Sequence, residues 1–132
     1  MSVNAQNVRR RIGMKRSPDM EISNRYFQES NNILKKILEN KPGVYIYRYK
    51  KTSLYVGATS NLFSRGLRIY RKNPQSNRLL KKILDIINPR YIRTIIFFCK
   101  SEQLSRKEYL IAKKYNPISQ ILFSHRSYRK RK

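Results

Sequence analysis

Residues 41–65 read "KPGVYIYRYKKTSLYVGATSNLFSR", and the reading of this stretch decides the fold. Val44 and Ile46 alternate with Tyr45, Tyr47 and Tyr49, the two-residue period of a half-buried strand. A second apolar run at 54–57 follows the polar "KKTS", so residues 44–57 predict a β-hairpin. If Tyr47 opposes Tyr55, Tyr45 and Tyr55 lie on one face of the sheet. A cross-strand aromatic ladder is the plain meaning of that pattern. The sharper one is a pair of phenols lining a site, able to orient or deprotonate a water. Gly57 closes the second strand and allows a close backbone approach. Thr59-Ser60-Asn61 then caps a helix expected to run to about residue 70. On it Leu62, Arg65, Gly66 and Ile69 share a face, which puts Arg65 where an apolar side chain would stand. Such an arginine either snorkels or uses its planar, permanent charge to hold a phosphate.

Working outward, residues 23–40 predict a helix capped by Ser23 or Asn24. Two stripes, Tyr26/Ile33/Ile37 and Phe27/Leu34/Leu38, have the 3–4 spacing, and Lys41-Pro42-Gly43 ends it. Downstream, Ser76 caps a helix to about residue 87, stopped by Asn88-Pro89. Residues 91–99 are β-branched and aromatic and predict a third strand. A helix over 101–115 closes at Asn116-Pro117, and "SQILF" adds a short edge strand. The stripe of that last helix runs Leu104, Glu108, Ile111, Tyr115. A carboxylate there costs desolvation energy unless a charge meets it. One of the 31 basic residues could pair with it, but with only 7 acids in 132 residues a metal-binding or phosphate-directed role gains weight. The predicted organisation is a basic arm at 1–23, a leading helix at 24–40, the main domain at 41–123 and a basic tail at 124–132. The fold class is α+β, with a three-stranded mixed sheet flanked by helices.

The net charge is +24. A compact chain with that charge repels itself unless a polyanion neutralises it, and nucleic acid is the polyanion that rewards each added cation. Residues 1–40 hold 8 basic and 4 acidic side chains, whereas residues 41–132 hold 23 and 3. The folded part therefore carries most of the excess. The candidate nucleic-acid contacts are Arg9, Arg10, Arg11, Lys15 and Arg16 in the arm, and Arg68, Arg71 and Lys72 after the hairpin. The tail adds Arg126, Tyr128, Arg129, Lys130, Arg131 and Lys132. No apolar run approaches the ~20 residues of a spanning helix, and no membrane partner is expected. The single cysteine, Cys99, excludes an intramolecular disulfide, and one histidine, His125, leaves no histidine-based metal or triad site. Fifteen Ile, 11 Asn and 10 Tyr against 4 Gly and 3 Ala is the bias of AT-rich codons, which points to an organellar genome and a mitochondrial matrix location.

Four blocks of this chain resemble the GIY-YIG nuclease family, particularly its fungal organellar, intron-encoded homing-type members. "GVY" (43–45) and "YVG" (55–57) are similar to the two signature tripeptides, "NLFSR" (61–65) to the arginine block and "SRKEYLIAKKYNP" (105–117) to the glutamate helix. The likeness spans about residues 42–122. It implies that Glu108 holds one divalent ion such as magnesium, that Arg65 holds the scissile phosphate, and that Tyr45 and Tyr55 activate or orient water. Three departures stand out. Gln120 occupies the place of a usual Asn, and Ile69 that of a usual His or Tyr, with Tyr70 displaced by one. In place of the DNA-recognition domain of homing members there is a basic tail.

Two functions follow. The first expectation is an RNA-binding structural protein derived from such a nuclease, without cofactor, in a ribonucleoprotein such as a mitochondrial ribosome, touching ribosomal RNA and neighbouring proteins. The alternative is an active metal-dependent DNA endonuclease. A stand-alone repair nuclease ranks third, since nothing in the chain reads a lesion.

Overall fold

The computed structural model describes residues 18–71 and 78–118. The predicted hairpin forms β2 (Gly43–Tyr49) and β3 (Thr52–Thr59). Lys50, at φ 55°, starts a two-residue turn, so Thr52 and Ser53 belong to the strand rather than to the loop. Tyr47 pairs with Tyr55 but Arg48 pairs with Ser53. This bulge makes Leu54 the extra residue and lets Leu54 and Tyr55 pack on the same cluster. Strand β4 (Ile92–Phe98) lies on the other side of β2.

The sheet has four strands in the order β1-β4-β2-β3, not three, and every pairing is antiparallel, not mixed. The added strand is β1 (Met20–Ile22), which lies within the expected N-terminal arm. Its sequence is too short to show a period, and what makes it a strand is the backbone of β4. Asp19 extends that pairing, its amide donating to the Ile96 carbonyl (2.8 Å) and its carboxylate accepting from the Phe98 amide (2.8 Å).

The leading helix is two helices, α1 (Asn24–Glu29) and α2 (Asn31–Leu38). Ser23 caps the first, accepting from the Tyr26 amide at 3.0 Å. Of the two stripes, Phe27, Leu34 and Leu38 enter the core, while Tyr26, Ile33 and Ile37 stay exposed. Helix α3 (Arg78–Ile86) buries Leu80 and Ile83, and α4 (Leu104–Tyr115) follows β4. Asn116 ends α4 in the left-handed conformation, φ 47°. The 119–123 strand and the capping by Ser76 fall outside the described residues.

Each face of the sheet carries its own core. Tyr45, Tyr47, Leu54, Ile92 and Ile96 meet α1, α2, α3 and the segment 62–70 on one side. Val44, Ile46, Val56, Ile95 and Phe97 meet Ala112, Ile111 and Tyr115 of α4 on the other. Gly43 packs tightly between β4 and the segment 62–70. A Cβ there would stand 2.6 Å from the Phe97 carbonyl oxygen and 2.7 Å from Leu62, so the first glycine of the hairpin is a packing requirement.

Candidate active site

The segment after β3 is not the regular helix that its sequence predicts. Asn61 does cap it, accepting from the Ser64 amide at 3.2 Å. The first turn, Leu62–Gly66, is however a π-helical turn, and Arg68–Tyr70 is a 3-10 turn. A wide turn leaves carbonyls without intrahelical partners, and side chains from elsewhere satisfy them. The Tyr47 hydroxyl lies 3.0 Å from the Gly66 carbonyl and 3.4 Å from that of Arg65. The Arg71 guanidinium donates to the carbonyls of Phe63 (3.1 Å) and Ser64 (3.2 Å). It also lies over the rings of Phe27 and Phe63, and burial pulls its pKa down. Arg71, expected among the nucleic-acid contacts, is half-buried, and its guanidinium holds the segment that carries Arg65.

Tyr47 packs in the same core cluster as Tyr45 and Tyr55, and the sequence pattern alone does not separate it from Tyr49. It is fully buried, and burial, followed by the neighbouring Tyr45, pushes its phenol pKa well above the ordinary value. It therefore remains a neutral donor to the π-helical turn. Tyr47→Phe would leave a buried carbonyl unsatisfied, and we expect a loss of about 1–3 kcal/mol, read as a lower midpoint in urea. A midpoint equal to wild type would show that water replaces the hydroxyl.

Tyr45, Tyr47 and Tyr55 form a triangle on one sheet face, with ring centroids 5.3, 5.9 and 6.3 Å apart. Tyr45 and Tyr55 share that face as the alternation predicts. Gly57, opposite Tyr45 in the register, is needed for a side chain rather than for a backbone approach. A Cβ on it would fall 2.5 Å from both Cζ and Oη of Tyr45. The Tyr45 ring thus crosses β3 at the one residue without a side chain.

Arg65 is exposed, so the apolar-stripe position inferred from an α-helical period does not hold in a π-helical turn. Glu108 is half-buried on the stripe of α4 that includes Ile111, Ala112 and Tyr115, as its spacing predicts. Helix α4 packs on the sheet face opposite the tyrosines. Strand β3 is an edge strand of the described sheet, and the Tyr45 phenol feels both sides of it. Burial raises its pKa first and the Tyr55 phenol second. Arg68 and Arg65 act against that rise, and Glu108 adds to it. The expected residues Tyr45, Tyr55, Arg65 and Glu108 are therefore within electrostatic reach of one phenol, from two faces and across one strand. Arg68, expected only as a nucleic-acid contact, acts on that phenol ahead of Arg65.

Tyr70 does not take the place of the usual His or Tyr. Its hydroxyl accepts from Thr94 (2.9 Å) and faces the carbonyls of Ile92 (2.8 Å) and Ile22 (3.0 Å), so it ties β1 to β4. Gln120, Lys72, the arm residues Arg9–Arg11, Lys15 and Arg16, and the tail from Arg126 to Lys132 lie outside the described residues. Cys99 is a free thiol. Among the described residues no helix is long and apolar enough to cross a membrane.

No protein-family model matches the chain, and no curated protein matches it. Among solved structures it is similar to the GIY-YIG N-terminal endonuclease domain of UvrC from Thermotoga maritima, in three point mutants bound to the catalytic divalent cation. The identities are 25, 27 and 28%, with 67% of this chain and 92–93% of those chains covered. The TM-scores are 0.44–0.45. Overlap of that degree is a resemblance in outline, and what the site can do follows from its own residues.

Proposed function

We propose that this chain is a GIY-YIG-type nuclease that binds nucleic acid and hydrolyses phosphodiester bonds with one divalent cation. One observation carries the reading. The Tyr45 phenol, seated over Gly57, lies in the fields of Tyr55, Arg65, Arg68 and Glu108. Phosphodiester hydrolysis requires cations for the phosphate, a carboxylate for a metal and a donor to place the water, and these residue types supply all three.

The donor set fits magnesium rather than a closed protein cage. Among the described residues no three His, Cys, Asp or Glu side chains gather. Magnesium commonly takes one or two carboxylates and fills its shell with water and substrate phosphate, so Glu108 alone is a sufficient protein ligand. Once bound, the ion would supply positive charge to the oxygens on which negative charge develops.

The remaining work falls to the chain itself. Tyr45 keeps its proton through neutral pH, because burial and Tyr55 push its pKa up. It is therefore a hydrogen-bond donor that can orient water or a phosphate oxygen. Exposed Arg65 can reach a phosphate directly, while half-buried Glu108 keeps a fixed helical position.

The test uses the full chain with supercoiled DNA and, separately, a structured RNA, each with magnesium. Glu108→Gln is expected to slow cleavage by about 10²–10³-fold while binding in EDTA changes less than about twofold. Wild-type protein that binds both substrates and cuts neither with magnesium or manganese would end this reading. It would instead support an RNA-binding component of a mitochondrial ribosome, derived from a homing-type nuclease. That second reading is favoured by charge: residues 41–132 hold 23 basic against 3 acidic side chains, far more than one scissile phosphate needs.

A further inference from the structure

Arg68 is the residue that the motifs leave out and the geometry singles out. It opens the 3-10 turn behind the π-helical turn and is half-buried. Its Nε is fully buried and has no hydrogen-bond partner. The salt bridges of Arg25 with Glu29 and of Arg93 with Glu21 do not involve Arg68. A buried guanidinium nitrogen without a partner is costly, and the rest of the half-buried fork stays open to an anion from outside.

The other buried orphan, the Nε of Arg48, differs in kind. The Arg48 guanidinium already donates to the Lys51 carbonyl at 3.1 Å, and Arg48 faces Arg93, whose charge Glu21 meets at 2.8 Å. Arg68 has no such compensation, and it neighbours the site.

We infer that Arg68 is the inner half of a two-arginine phosphate clamp, binding a backbone phosphate of the nucleic acid beside Tyr45 while exposed Arg65 closes over it from the solvent side. The inference rests on the nucleic-acid reading above but not on cleavage. A fork-shaped guanidinium suits two phosphate oxygens at once. The burial of its stem fixes the fork in advance, so less side-chain freedom is lost on binding than for a fully exposed arginine. The two tyrosines near it, Tyr45 and Tyr47, both feel its charge, so an anion on Arg68 would sit at the phenols. Phosphate is common to DNA and RNA, and the clamp takes either backbone.

The experiment measures affinity of the full chain for a 20-base-pair DNA duplex, and for an RNA duplex of the same sequence, in EDTA across a salt series. Arg68→Gln is expected to weaken binding at least tenfold at the lowest salt and to reduce the log–log salt slope by about 0.9, the value for one lost phosphate contact. Arg90→Gln, on the exposed 3-10 turn before β4, is the comparison for a generic surface charge and should cost about threefold or less. Should Arg68→Gln fail to fold, Arg68→Lys keeps the charge and stem but not the fork, and should bind about three- to tenfold more weakly. Either Arg68→Gln with the affinity and slope of wild type, or Arg68→Lys indistinguishable from it, overturns the clamp. Because no metal is present, loss of the hydrolysis reading would leave these outcomes intact. A drop on only one of the two duplexes would overturn the backbone-phosphate assignment, since both duplexes present it.

Discussion

Alanine at Gly57 is expected to cost about 1–3 kcal/mol of stability, the usual cost of overpacking, and about 10²-fold in cleavage. The clash is specific: the new Cβ would lie 2.5 Å from Tyr45 Cζ and Oη and 3.0 Å from Cε2. The Tyr45 ring cannot simply swing aside. It packs against Tyr47 at 5.3 Å and Tyr55 at 6.3 Å, and Tyr47 is in turn bonded to the π-helical turn. A displacement of about 1 Å in a positioned group is enough for a hundredfold loss of rate. Gly66→Ala is the internal control, since its nearest neighbour, Leu62, would be 3.4 Å away. It should fold normally. The double variant Gly57→Ala/Tyr45→Leu should recover part of the lost stability, with a coupling of about 0.5–3 kcal/mol. Thermal melts of wild type, Gly57→Ala, Tyr45→Leu, the double variant and Gly66→Ala decide the matter. Additive effects of the Gly57 and Tyr45 substitutions would refute the contact.

Alkaline titration should expose the second large effect. Tyr45, Tyr47 and Tyr70 all have phenol pKa values raised above the ordinary 10, with burial the first cause in each. Tyr55 adds to the rise at Tyr45 and Tyr45 to that at Tyr47, while Thr94, donating to Tyr70, lowers the value there. The folded state therefore prefers the protonated forms. Their contribution is fully present below pH 10 and is lost as pH rises above it, because the unfolded chain can release those protons. At pH 11 each phenol costs on the order of 1 kcal/mol and the three together a few kcal/mol. Lysine deprotonation works the other way by relieving self-repulsion, so melts belong in about 1 M salt, where that term is screened. Phenolate absorbance gives an independent reading. Below the unfolding point the protein should fall short of its 10 tyrosines by at least three. Full ionisation before unfolding would contradict the burial of these rings.

The amino-acid pattern by itself determined whatever depends on near neighbours. The alternation over 44–49 set β2 and the common face of Tyr45, Tyr47 and Tyr49, because side-chain direction in a strand is a two-residue property. The pairing of Tyr47 with Tyr55 then brought Tyr55 to that face. The 3–4 spacing put Glu108 on the buried stripe of α4, and Ser23 and Asn61 announced their caps, since a cap bonds an amide only three residues away. What only the tertiary structure decided depends on partners far along the chain. Strand β1 exists because β4, more than 70 residues later, offers its backbone. The expected helix after β3 became a π-helical turn because Tyr47 and Arg71 reach its open carbonyls, and that change left Arg65 exposed. Arg71 went to the fold and Arg68 came beside the phenols for the same reason: in a sequence with 31 basic residues, type and spacing do not say which cation is already used and which is left with a buried, unpartnered nitrogen.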